Sequence, residues 1–195
     1  MLKKQLLPTL GIIVGLLLGV MISKPAHGLV QIRAGYGLQT VEPNQVGSFP
    51  TYSKLTGFNA DLIFTPPLFP LGFGLRHETL GNEESSSYGE IEVGVTRTSG
   101  LVTFRLIDTL IYIGGIGSFG ISHGGETTLN PKGGNSSTVD NDISGSYSIG
   151  IEGGVKLLGF LVGVELGYLD LEIGDNSAKQ ELNGAYTKFH LGLDF

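Results

Sequence analysis

The sequence predicts an all-β protein: a transmembrane, antiparallel up-and-down β-barrel of eight strands that follows a cleaved export signal. Three observations predict it. From Leu29 onward apolar residues recur at every second position, the period of a strand and not of a helix. The connections alternate, long and polar after odd-numbered stretches and short after even-numbered ones, as in barrels that span a bilayer. Finally, 32 of 195 residues are Gly and only 15% are charged, against about 7% and about 25% in an ordinary soluble domain. So much Gly opposes long helices, and so few charges suit an exterior that does not face water.

Residues 1–28, "MLKKQLLPTLGIIVGLLLGVMISKPAHG", have the three parts of a secretory signal. Lys3 and Lys4 form a basic start, Leu10 to Ile22 an apolar run, and Ala26 and Gly28 place small residues before a cut at Leu29. The run is too short for a spanning helix of about 20 residues and is flanked by Pro8 and Pro25. Domain boundaries are therefore 1–28 for the signal and 29–195 for the barrel. Losing Lys3, Lys4 and Lys24 leaves nine basic and eighteen acidic residues, a formal net charge of −9.

The first stretch, "LVQIRAGYGL", sets Val30, Ile32, Ala34, Tyr36 and Leu38 against Gln31, Arg33, Gly35 and Gly37. The second, "TGFNADLIFT", sets Phe58, Ala60, Leu62 and Phe64 against Gly57, Asn59 and Asp61, with Ile63 breaking the polar face. "PPLFP" then ends pairing, because Pro has no N–H to give a ladder. The third, "LGFGLRHETL", sets Leu71, Phe73 and Leu75 against Arg76 and Glu78, and "GNEESSSYG" reads as a polar loop. The fourth, "EIEVGVTRTSGLVTFRL", changes apolar parity near Ser99-Gly100, which implies a bulge or a turn. A bulge keeps the strand count even and returns both termini to the short-turn side.

The fifth, "LIYIGGIGSFGIS", has Gly on both faces and leads into "HGGETTLNPKGGNSSTVDND", a long polar loop. The sixth, "SYSIGIEGGVKLL", sets Tyr147, Ile149, Ile151, Val155 and Leu157 against Glu152 and Lys156. A tight turn at Gly159 leads to "FLVGVELGYL", with Glu165 on the face opposite Val162, Val164 and Leu166. After "GDNSAKQ" the eighth, "AYTKFHLGLDF", sets Phe195, Leu193, Leu191 and Phe189 against Asp194, His190, Lys188 and Tyr186.

The apolar faces suit lipid, and closure pairs every backbone group. An eight-stranded barrel is just wide enough for side chains to fill. The lumen then holds Arg33, Asp61, Arg76, Glu78, Glu152, Lys156, Glu165 and Lys188. Arg33, Arg76 and Lys188 are expected to pair with some of the carboxylates, since an unpaired buried charge is costly.

In signal, strand count, loop alternation and terminal aromatic the chain resembles the small eight-stranded outer-membrane β-barrel proteins of Gram-negative bacteria, over essentially all of 29–195. The resemblance implies that Tyr186, Phe189, Leu191, Leu193 and Phe195 form an assembly signal read by the barrel-insertion machinery. It also implies outer-membrane lipid as surroundings and a barrel without an appended peptidoglycan-binding domain. With no Trp in the chain, an interfacial girdle would fall to Tyr36, Tyr112, Tyr147, Tyr168 and Phe.

Other signals are weak. "GIGSFG", 115–120, matches a dinucleotide fingerprint but no helix follows. "DNDISG", 140–145, imitates a calcium loop, yet position 12 is Ile151 where a Glu is needed. Ser122, His123 and Glu126 are the nearest approach to a catalytic triad, but adjacent Ser and His rarely face each other. His77 and His190 read as strand residues and not as metal ligands. Cys is absent, which removes disulfides and thiolate chemistry, and the acidic balance disfavours nucleic acid. The expectation is a monomeric barrel with no catalytic residue, cofactor or metal. Its role would be structural or loop-mediated display to an extracellular partner. The alternative is a narrow pore or transporter for small ions or small hydrophobic molecules, and a lipid-modifying enzyme stands behind both.

Overall fold

The computed structural model describes residues 29–40, 54–66, 69–86, 89–141, 143–173 and 180–195. Residues 1–28, where the export signal is expected, residues 41–53 and Asp142 of the calcium-like string lie outside the described residues. Ten strands follow in order: β1 Val30–Thr40, β2 Lys54–Phe64, β3 Leu71–Ser86, β4 Gly89–Asp108, β5 Ile111–Pro131, β6 Ser137–Asn141, β7 Ile143–Leu157, β8 Phe160–Ile173, β9 Gln180–Glu181 and β10 Gly184–Asp194. β1, β2, β3, β4, β5, β7, β8 and β10 are the eight staves, each antiparallel to its neighbours. β10 pairs with β8 on one side and with β1 on the other, from Gln31↔Asp194 to Gln39↔Tyr186, which closes the barrel. Val30 and Phe195 exchange two further backbone bonds, 3.2 and 2.9 Å, at the end of this seam.

Alternation along each stave decides which side chains meet the outside. Ile32, Tyr36, Phe58, Leu62, Phe73, Ile149, Ile151, Phe189 and Leu191 point outward and are exposed, a band that only hydrocarbon would solvate well. Tyr36 and Phe58 meet edge to face within it, ring centroids 5.1 Å apart. The short-turn end is apolar to its tip: Phe69, Leu110, Leu158, Phe160 and Phe195 are all exposed there. The β7–β8 turn is the tightest. Leu158 and Gly159 both take positive φ, 51° and 85°, as a two-residue hairpin turn matched to strand twist requires. Asn or Gly is the usual choice at the first of these positions, and here a Leu that is 92% exposed takes it.

β4 resolves the ambiguity near Ser99-Gly100. There is no turn: the strand runs unbroken from Gly89 to Asp108 and keeps one inner face from Ile91 through Val93, Val95, Arg97, Ser99, Leu101 and Thr103 to Arg105, after which a bulge at Leu106 brings Asp108 inward. Its pairing with β3 is regular. The register shift at Thr98/Ser99 places the extra residue, Ile121, on β5. The apolar parity changes because the exterior changes, not the strand. Below Gly100 the outside is apolar (Val102, Phe104, Leu106). Above it the outside is polar (Thr98, Thr96, Glu92, Glu90) and the apolar residues turn inward.

The polar segments assigned to loops are corrected in the same way. β3 and β4 stay paired to Ser86↔Gly89. β5 continues to Pro131 and pairs with β6, Gly125↔Asn141 to Leu129↔Ser137, so most of "HGGETTLNPKGGNSSTVDND" is a hairpin. Thr-rich strands with water outside lack the apolar contrast that marks a strand, and the reading missed them for that reason. Inside this projecting end sits an apolar core of Leu55, Leu80, Ile91, Val93, Val95, Leu169, Leu171 and Leu182. A smaller cluster, Ile63, Leu101 and Ile116, lies among the lumen residues, which accounts for Ile63 on a polar face.

Candidate functional site

The lumen below the apolar core is filled by ions in alternating sign. From the short-turn end, Asp194 and Asp108 each lie 2.6 Å from Lys156 Nζ. Asp108 is 3.3 Å from Arg105, and Arg105 Nε donates to Glu152 at 2.8 Å. Glu152 accepts from Arg33 at 2.5 Å, and Arg33 lies 3.0 Å from Asp61. Arg76 then bridges two carboxylates in two forked pairs: Nε and Nη2 to Asp61 at 2.8 and 2.9 Å, Nη1 and Nη2 to Glu165 at 2.9 and 2.7 Å. Glu165 also meets His190 Nε2 at 3.0 Å and accepts from the Tyr186 hydroxyl at 2.6 Å. A second group lies nearer the long-loop end, where Glu78 is held by Arg97 at 2.8 Å and Lys188 at 2.5 Å.

Among the described residues six cations thus meet six anions, all buried but Asp194, which is half-buried at the short-turn end. Taking so many ions from water is tolerable only because each lies against an opposite charge at close range. Gly residues make the room. A Cβ on Gly163 would strike the Tyr112 hydroxyl, one on Gly167 the Tyr186 ring, and one on Gly37 the Lys188 stem. The lumen's Gly faces and its long charged side chains are one packing solution.

Of the residues singled out in the sequence, Arg33, Arg76 and Lys188 stand beside Asp61, Glu152, Glu165 and Glu78. Lys156 is held by Asp108 and Asp194, which the sequence reading did not place in the network. Arg97, Arg105, His190 and Tyr186 complete the arrangement. Arg97 has the parity of Val93 and Val95, and reading those as lipid-facing hid it. Tyr112 does not belong to an outer girdle: it is fully buried, with the Arg105 guanidinium 4.4 Å from its ring centre.

At the seam, Phe189, Leu191, Leu193 and Phe195 face outward, whereas Tyr186 is buried in the lumen. "GIGSFG" is part of β5 and strand continues after it. Asp140 stands in β6 opposite Glu126, in a hairpin and not a loop. Ser122 and His123 project from opposite faces of β5, opposite Thr98 and Arg97 respectively. His123 meets Ser146 instead, at 2.8 Å. His77 is exposed and bonds Thr98 at 3.0 Å.

Outside the lumen, charge gathers at one end. Glu83, Glu84, Glu90, Glu92, Glu126, Asp140 and Asp170 stand at the long-loop end, against Lys54 and Lys132 among the described residues. Glu83 lies directly across from Glu92, and Glu126 from Asp140. Like charges in directly opposed positions repel.

No family model matches the sequence, and no curated protein is significantly similar to it. Solved structures do match. The attachment invasion locus protein Ail of Yersinia pestis, in complex with the heparin analogue sucrose octasulfate, superposes with a TM-score of 0.58 at 14% identity, over 86% of this chain and 99% of that one. A second structure of Ail gives 0.56 at 14% identity, with the same coverage. The fold is that of the small eight-stranded outer-membrane β-barrels. Neisserial surface protein A also matches, with a TM-score of 0.49, 15% identity and 88% and 100% coverage.

Proposed function

We propose that this chain is a non-enzymatic integral barrel of a bacterial outer membrane, exported by its first 28 residues, whose work is done by the acidic hairpins it displays. The observation that carries the reading is the partition of charge. The lumen is filled and balanced, while the charge left over gathers on the projecting hairpins. Ail was solved with a polyanionic ligand. Here Glu83, Glu90, Glu92, Glu126 and Asp140 would repel such a ligand, so the fitting partner is cationic: a basic protein or peptide surface. Ser122 and His123 on opposite faces of β5 argue against a hydrolytic role.

Two measurements on the barrel in phosphatidylcholine nanodiscs test this. Binding should be seen to polylysine and not to heparin, and should weaken as salt rises. Preference for heparin would sink the reading. In planar bilayers the ion-filled lumen should give no large, stable conductance, and a conductance of that kind would favour the pore.

A further inference from the structure

The barrel wall has an interruption. β5 pairs with β7 from Ile111↔Val155 up to Phe119↔Tyr147, and with β6 from Gly125↔Asn141 outward. Between these ladders no strand pairing joins residues 120–124 of β5 to the described residues 143–146, where β7 pairs only with β8. Its outer face is uncovered, since a Cβ built on the outward Gly124 or Gly145 meets no atom within 4 Å, and its inner side is lined by His123 and Ser146, which a Cβ on Gly120 would strike. The Ile121 bulge falls in the same stretch. Among the described side chains, His123 Nε2 meets Ser146 Oγ across it at 2.8 Å.

The position in the membrane is defined from both sides. Phe119, Ile121 and Tyr147 flank the opening with exposed apolar surface, and above them the outside turns polar at Ser122. Behind it stands a buried cation. Arg97 Nη1 donates to Ser146 Oγ at 3.2 Å and Nη2 to Ser118 Oγ at 3.0 Å. Its group holds two cations, Arg97 and Lys188, on the one carboxylate of Glu78. Part of the guanidinium fork is therefore spent on neutral hydroxyls, which a charged acceptor would replace with shorter, stronger bonds. The displaced hydroxyls could donate to the same acceptor.

We propose that this opening binds the anionic headgroup, a carboxylate or phosphate, of a membrane amphiphile. Arg97 holds the head beside Ser118 and Ser146, His123 closes over it, and the acyl chain lies outside on Phe119, Ile121 and Tyr147. The site is on the wall directly below the β5–β6 hairpin, and its proposed contacts do not include the carboxylates of Glu126 and Asp140 above it.

The test uses the full barrel in phosphatidylcholine vesicles, with spin-labelled stearate and spin-labelled phosphatidylcholine compared by electron paramagnetic resonance. The motionally restricted fraction should show stearate preferred about fivefold, the scale of one partly exposed ion pair. Arg97→Gln, shown to be folded by heat-modifiable gel migration, should bring that preference to about one. Ser146→Leu fills the opening, keeps the Arg97–Glu78 pair and should give the same loss, so it serves if Arg97→Gln does not fold. Equal restriction of the two labels overturns the proposal, and so does an undiminished preference in both variants. Inorganic phosphate should not displace stearate beyond the effect of chloride at equal ionic strength. If it does, the site reads a free anion and the acyl chain is no part of the ligand.

Discussion

Arg76→Met is the most informative single change to the lumen. The guanidinium is fully buried and makes four N–H···O bonds, two each to Asp61 and Glu165. Met fills similar volume, so the change removes charge and donors while leaving little cavity. Asp61 keeps Arg33 and the Asn59 amide, at 3.0 and 2.9 Å. Glu165 keeps His190 and Tyr186. Each carboxylate is thus weakened and not orphaned. Breaking a buried pair on one side costs about 3–5 kcal/mol, and the remaining partners put this site toward the lower end. An exposed pair would cost about 0.2–1 kcal/mol, so the two cases are well separated. The assay is urea unfolding in lipid vesicles, scored by heat-modifiable migration. The companion variant, Arg76→Met with Asp61→Asn and Glu165→Gln, removes the stranded charges and should recover at least half of the loss. A single-variant loss under about 1 kcal/mol would refute the view that the ladder holds the staves together. A triple variant no better than the single would refute the electrostatic cause.

Other expectations follow from the same geometry. Phe104→Arg puts a cation on the apolar exterior and should cost about 2–4 kcal/mol, while Thr96→Arg, on the same face of the same strand but above the boundary, should cost under about 1 kcal/mol in the same unfolding assay. Gly163→Val drives a side chain into the Tyr112 hydroxyl and should destabilise by about 1–3 kcal/mol through overpacking. Glu92→Lys replaces repulsion with Glu83 by attraction; it should raise stability by about 0.2–1 kcal/mol and weaken polylysine binding. Deleting Phe195, whose backbone closes the seam to Val30, should lower the barrel recovered in the outer-membrane fraction more than it lowers the urea midpoint of the barrel that does insert.

The fold was legible wherever lipid lies outside a strand, because contrast between lipid and lumen writes period two into "LVQIRAGYGL" and "SYSIGIEGGVKLL". It faded where water lies outside. β5 beyond Ile121, and β6, carry Thr, Ser, Gly and Asn on both faces, and nothing in their pattern separates strand from loop. β4 shows the error most clearly, since a switch of apolar parity in a strand that keeps its inner face through Ser99-Gly100 can be read only by asking what each face touches. The ions of the lumen were visible as polar-face residues, but their partners were not. Lys156 reaches Asp108 and Asp194 because the stagger of neighbouring staves brings those positions to one level, and stagger is a property of closure. Arg97 was hidden by the β4 parity, and with it the cluster behind the wall opening.

The uneven ends of the barrel have a mechanical meaning. A body with apolar turns at one end and acidic hairpins at the other is barbed. Backing out of a bilayer from the turn side would drag Glu83, Glu90, Glu92, Glu126 and Asp140 through hydrocarbon. Even at about 2 kcal/mol per carboxylate the toll approaches 10 kcal/mol, on top of the unpaired backbone of any strand that parts. Insertion is then a ratchet: whatever supplies the work to carry the hairpins across once need not supply any more to keep them there.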